Sequence, residues 1–237
     1  EKMLYGEITD FRDAASFLLR RYSADLRMRV KSSLHEHIVD GSFQDIVFDF
    51  IENEQVDLVV MASQGINSIE DRLFGSNALK ILRSSVCPVL IVPHKYNDVK
   101  IEKILYSTEI SNKDKAIEHY LVWFAEMFEA HLTLLHIDDG KHIINAKDLV
   151  QFQRKVLHFN YHNISAEIEP SVSISDGIAE YIDNNGADLL CITSHTNTFI
   201  DRFFKTSTVK NTLAKISIPV LGFNIESLKR IEKNRKK

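Results

Sequence analysis

The chain has 237 residues, 44% hydrophobic and 26% charged, with a formal net charge of −4. It is long enough for one large or two small domains, and its charge gives no electrostatic reason to expect nucleic acid or an anionic membrane as partner. No apolar run approaches the ~20 residues of a membrane span. Cys87 and Cys191 sit within or beside apolar runs and read as buried, reduced thiols of a cytoplasmic protein.

In chain order, Met3 to Ile8 reads as a strand, Phe11 to Ala24 as a helix, Leu34 to Val39 as a strand and Phe43 to Glu54 as a helix. Leu58 to Ala62 is an uncharged run with the character of a strand buried on both faces of a parallel sheet. It empties into Ser63-Gln64-Gly65, and nine residues later Gly75-Ser76 opens a helix with Ala78, Ile81 and Leu82 on one face. Ser84-Ser85 and Pro88 close that helix, and Val89 to Val92 is the next buried strand. This is a βαβ layout, whose helix N-terminus lies at the strand's carboxyl end, where backbone N–H groups attract an anion. Gly65 lets a ligand come close to the main chain, and Ser76 is a natural N-cap that can offer its hydroxyl to a phosphate.

The rest of the chain alternates the same way. Strands are expected at Lys103–Thr108, Leu132–Ile137, Ser165–Val172, Asp188–Thr193 and Ile218–Phe223, with Pro170 marking an edge strand. Helices are expected at Lys113–Ala130 (inner face Ala116, Tyr120, Trp123, Phe124, Met127), Asp148–Phe159 (Leu149, Phe152, Val156, Phe159), Ile174–Asn185 and Thr208–Ile216.

A shift of 131 residues lays one half on the other: Asp57-Leu58 falls on Asp188-Leu189, Ser76 on Ser207, Leu82 on Leu213 and Pro88-Val89-Leu90 on Pro219-Val220-Leu221. The chain is two copies of one unit, with domains expected at 1–97 and 98–225 and a basic tail at 226–237. The first copy starts near its second strand, so roughly 40 further residues are expected before Glu1 in the natural protein.

Ala62-x2-Gly65-x9-Gly75-Ser76, followed by Cys87-Pro88-Val89-Leu90-Ile91-Val92-Pro93, resembles the universal stress protein family, which binds ATP through G-x2-G-x9-G-(S/T) after its fourth strand. The tandem layout resembles two-domain members of that family over essentially the whole chain. The departure is Ala62, where the family has its first glycine. The resemblance implies an α/β fold of two doubly wound, five-stranded parallel sheets of order 3-2-1-4-5, similar to the adenine nucleotide alpha hydrolases, with the first copy lacking its first strand and helix. It also implies an adenine nucleotide site in the first copy, formed by Met61, Ala62, Ser63, Gly65, Gly75, Ser76 and Asn77. In the second copy Glu109 stands where the family has an aspartate at the end of its first strand. The second loop, Thr193-x2-Thr196-x9-Thr206-Ser207, keeps the spacing without a glycine and reads as degenerate.

Other constellations weigh less. His158 and His162 lie four apart with no third ligand in the pattern, and His35 and His37 are discounted on the same ground. Ser194-His195, Glu70-Asp71-Arg72 and Asp201-Arg202 read as loop polarity, and no G-x4-G-K-(S/T) phosphate loop occurs. The expected function is a nucleotide-binding regulator without catalysis or a metal; the alternative is a nucleotide-free tandem interaction module. The last strands of the copies, Val89–Val92 and Val220–Phe223, lack gatekeeping charges and are expected to meet in an intramolecular pseudo-dimer, with a homodimer as a further possibility.

Overall fold

The computed structural model describes residues 11–62, 76–93, 96, 100–110, 115–141, 143–194, 217–224 and 227. The chain divides into two compact units, Glu1–Ile46 and Val47–Lys237.

In the smaller unit, helix α1 (Phe11–Arg29) runs a turn beyond the expected end. Its last turn is held by Val30 N–H on Leu26 C=O at 2.9 Å and by an Arg29–Asp25 pair at 3.2 Å, i and i+4 on one face. Arg27 reaches Glu36 at 2.9 Å, fixing the segment that follows. That segment corrects one expectation: Leu34 to Val39 is irregular, with Ile38 and Val39 39% and 51% exposed. A strand needs a neighbour for its backbone groups; the expected neighbour, Met3 to Ile8, lies outside the described residues.

Helix α2 (Phe43–Asn53) leads into the larger unit, where Val47 and Phe48 pack on the core and Ile51 is fully buried. The strands are β1 (Val59–Ala62), β2 (Val89–Val92), β3 (Lys103–Ser107), β4 (His131–Asp138), β5 (Ile164–Pro170), β6 (Leu189–Ser194) and β7 (Val220–Asn224). Between them lie α3 (Ser76–Ser84), α4 (Lys115–Phe128), α5 (Ala146–Arg154), a 3-10 turn (Lys155–His158) and α6 (Ile174–Asn185). The predicted helix Thr208–Ile216 falls outside the described residues.

The sheet order is β1-β2-β7-β6-β3-β4-β5. The second copy thus has the 3-2-1-4-5 order, β5-β4-β3-β6-β7, and every pair within it is parallel. Where two five-stranded sheets with meeting last strands are expected, the described strands of both copies form one seven-stranded sheet. They join at β2 and β7, antiparallel, with Val89 opposite Gly222, Leu90 opposite Leu221 and Ile91 opposite Val220. Two apolar strand edges meeting this way satisfy each other's N–H and C=O groups, which a bare edge could not.

One apolar cluster fills each face. On one, Ala78, Ile81 and Leu82 of α3 and Ile178 and Tyr181 of α6 lie against Val89, Ile91, Leu190 and Val220. On the other, Ile117, Leu121, Phe124 and Ala125 of α4 and Phe152 of α5 cover Ile104, Tyr106, Leu189, Cys191, Leu221 and Phe223. Each Leu, Ile, Val or Phe among them, fully buried, contributes about 1.5–3 kcal/mol. The inner stripe of α4 is thus rotated from the predicted one, since Trp123 and Met127 are 52% and 59% exposed. Leu149 on α5 also stays 38% exposed, while Phe152 is buried.

The junction of the copies is also fastened through α3. A Cβ built on Gly222 would lie 2.1 Å from Leu82 Cδ1, so only a glycine lets α3 sit this close to β7.

Candidate functional site

In a parallel sheet of this winding, ligands are met at the carboxyl ends of the strands, where helices begin. In the first copy β1 and β2 are parallel neighbours, Val59 opposite Val89 through Ala62 opposite Val92, with α3 as the crossover between them. The end of β1 and the start of α3 therefore share one edge of the sheet. At that edge Met61 is partly buried against the core, Ala62 is exposed, Ser76 opens α3 and Asn77 is exposed. Ser63, Gly65 and Gly75 lie outside the described residues. The described residues fit an anion held at a helix N-terminus: α3 is nine residues long, and its first turn carries no acidic side chain to oppose a phosphate.

The second copy's edge is arranged differently. Ser107 and Thr108 at the end of β3 are buried, and Glu109 just beyond is exposed. Thr108 N–H donates to Leu135 C=O at 2.9 Å, and the Thr108 carbonyl lies 3.0 Å from His136 Nδ1. The His136 ring meets Phe152 edge-on at 6.2 Å. The β6 end, Thr193 and Ser194, pairs with Phe223 and Asn224 of β7. Thr196, Thr206 and Ser207 fall outside the described residues.

Asn224 escaped the sequence reading and has the most elaborate contacts at this edge. It is buried, and its side-chain amide donates to Ser85 C=O at 2.6 Å, Arg83 C=O at 3.2 Å and Leu82 C=O at 3.4 Å. These are carbonyls at the end of α3, which a helix leaves without internal partners. The Asn224 Oδ1 accepts from Ser227 N–H at 2.9 Å, and Ser227 Oγ accepts the Asn224 N–H at 2.8 Å. Ser85 Oγ in turn donates to Cys87 C=O at 2.8 Å, tying the helix end to the start of β2. A second-copy side chain thus caps the helix whose opposite end is the first copy's candidate site. The available signal was a polar residue closing an apolar strand, too common a pattern to single out.

Elsewhere, burial pushes the Cys191 thiol far up, keeping it an inert thiol. Burial, above all, raises Tyr120 to about 12. Among the described residues no three His, Cys, Asp or Glu side chains gather to hold a metal. No helix among them is long and apolar enough to cross a membrane.

The second copy is a doubly wound α/β unit, and the first contributes a parallel β1–α3–β2 crossover to the same sheet. The model of the universal stress protein family matches residues 7–93 and again 100–222, so the chain belongs to that family. A universal stress protein of Methanocaldococcus jannaschii is 32% identical over 59 residues, 25% of this chain and 35% of that protein, so the chain spans about a third of this relative's length. Universal stress protein G of Salmonella typhimurium is 31% identical over 100 residues, 33% of this chain and 70% of that one. Among solved structures, a universal stress protein from Archaeoglobus fulgidus superposes with a TM-score of 0.68 at 16% identity, covering 94% of this chain and 82% of that chain. A functionally unknown protein from Pseudomonas aeruginosa PAO1 superposes at 0.64 with 17% identity, covering 94% and 83%. These likenesses show the shared fold.

Proposed function

We propose that the chain is a nucleotide-responsive regulator in the stress response, acting in the cytoplasm, which binds ATP in its first copy and does not hydrolyse it. The observation that carries this is the β1–α3–β2 crossover, which brings Ala62 and Ser76 to one sheet edge with the Gly65-x9-Gly75-Ser76 spacing between them. Backbone N–H groups at the start of α3 and the Ser76 hydroxyl hold the phosphates, Met61 and Ala62 lie under the adenosine, and Asn77 borders the phosphates. Bound ATP supplies charge for the helix N-terminus to neutralise, and the protein's part is to bind and orient it. The second copy is the pseudo-dimer partner and binds no nucleotide, since threonines stand where its loop needs glycines.

Calorimetry with ATP on the full-length protein tests this. Ser76→Ala is expected to weaken binding roughly ten- to a hundredfold, the loss of a cap hydroxyl and a charge-assisted hydrogen bond. Thr206→Val is expected to leave it unchanged. Two equal sites, or binding indifferent to Ser76→Ala, would overturn the reading. In the second reading the tandem fold is a nucleotide-free interaction module, a view favoured by β5, which ends the sheet without a further neighbour among the described residues.

A further inference from the structure

β5 ends the sheet among the described residues. Its register, Leu132 opposite Ile164 through Asp138 opposite Pro170, is bounded by two ladder bonds: Leu132 N–H to Asn163 C=O at 2.9 Å and Ser171 N–H to Asp138 C=O at 3.0 Å. In a parallel pair this alternation is fixed. Asn163, Ser165, Glu167, Glu169 and Ser171 turn their backbone groups toward β4. Ile164, Ala166 and Ile168 turn theirs to the open side, and Pro170 has no N–H to offer there. The proline therefore stops an outward row of donors without breaking the inward ladder.

The two faces of this edge differ. Ala166 and Ile168 pack on the α5 side, where a groove of about 550 Å³ runs between β5 and the half-exposed Leu149 and Val150. Glu167 is on the α6 side, its carboxylate held by Tyr181 OH at 2.8 Å and Ser165 Oγ at 3.0 Å. Glu169 follows on the same face and is exposed. Burial, then the bond to Glu167, raises Tyr181 to about 12, so its hydroxyl keeps its proton and holds the carboxylate in place at ordinary pH.

We propose that the β5 edge is a docking site for an extended peptide segment of another protein, one that alternates apolar and basic residues. The segment adds a strand to the sheet by bonding the outward groups of Ile164, Ala166 and Ile168. Its apolar side chains enter the groove against Leu149 and Val150, and its Lys or Arg side chains lie beside Glu167 and Glu169. A second copy of the chain is disfavoured as occupant, because antiparallel pairing of two β5 strands would bring these carboxylates alongside their own kind. The site is remote from the first copy's helix N-terminus and does not depend on nucleotide.

The test is fluorescence anisotropy of the full chain with a labelled peptide alternating lysine and valine, compared with one alternating glutamate and valine. Saturable binding of the basic peptide, weakening with salt, and none of the acidic one is expected. Glu169→Lys should weaken binding roughly tenfold through the reversed charge, and Leu149→Glu should do so by blocking the groove while leaving the backbone intact. Ala166→Pro should abolish it, removing only an outward N–H as Pro170 already does, with circular dichroism confirming the fold. Equal binding of both peptides, or binding unchanged by Leu149→Glu and Ala166→Pro, overturns the proposal. So does a concentration-dependent dimer that Ala166→Pro dissolves, which would make a second copy the occupant.

Discussion

Replacing Asn224 tests whether the second copy holds the end of α3. Its amide donates to carbonyls of Leu82, Arg83 and Ser85, and its oxygen accepts from Ser227 N–H, all at a buried site. Asn224→Ala leaves these acceptors facing a void that no side chain fills. A buried group deprived of its partner costs about 1–3 kcal/mol, and the Ser85 bond is the shortest, so a loss of about 2–4 kcal/mol is expected in all. With a urea m-value of about 3 kcal/mol/M, the unfolding midpoint should fall by roughly 1 M. Asn224→Asp sharpens the test. The aspartate keeps the size and the bond from Ser227 but has no N–H to donate, and it sets a negative charge at the negative end of a helix, costing about 0.3–1 kcal/mol more. It should therefore destabilise at least as much as alanine. Urea denaturation followed by circular dichroism decides the matter, and an aspartate variant as stable as the parent would refute the capping argument.

Gly222→Ala drives a methyl to within 2.1 Å of Leu82 Cδ1 and should cost about 1–3 kcal/mol by overpacking; thermal denaturation should show Leu82→Ala recovering part of the loss in the double variant. Leu221, fully buried, and Leu90, half-buried, face each other across the copy junction, so Leu221→Asp should destabilise by more than about 3 kcal/mol and Leu90→Asp by less, with limited proteolysis between the copies rising in the same order. Tyr120 and Tyr181 are raised from 10.0 to about 12, so their contribution to stability is complete below pH 10 and is lost between about pH 10 and 12, where the unfolded chain gives up its protons first. Phenolate absorbance should show these two lagging the other tyrosines, and a single transition near 10 for all would contradict their burial.

How much of this was legible in the sequence depended on whether a pattern had one geometric solution. The 131-residue repeat and the uncharged runs at Leu58–Ala62 and Leu189–Thr193 located β1 and β6, but only β6 is buried on both faces as such a run implies, since Val60 on β1 is 60% exposed. Pro170 marked the edge strand, since a proline can stand only where its missing N–H would face outward. Helix α4 was placed but turned: KAIEHYLVWFAEMF carries overlapping apolar stripes, and only packing on the sheet, which buries Ile117 and Leu121, decides between them. Leu34–Val39 alternates like a strand, yet it is irregular with Ile38 and Val39 exposed, so alternation alone did not place it. Of the candidate site, Met61, Ala62 and Asn77 are placed at the sheet edge, whereas Asn224 went unread because the helix carbonyls it caps are more than a hundred residues away.

The pairing of β2 with β7 is centred on Leu90 and Leu221, which are themselves 131 positions apart and so are the same residue of the repeat. An edge that binds its own duplicate would bind the identical edge of another molecule just as readily. Within one chain the stretch from Val92 to Lys103 ties the two copies together, which raises the effective concentration of one edge at the other and favours the closed arrangement. The same geometry opens a route to exchange: two chains could trade halves and rebuild both junctions with every hydrogen bond intact, as in domain swapping. Trimming the connection below the span it must cross should therefore convert monomers into swapped dimers, visible by size-exclusion chromatography. An unpaired monomer after trimming would show that the tether is not what decides between the two.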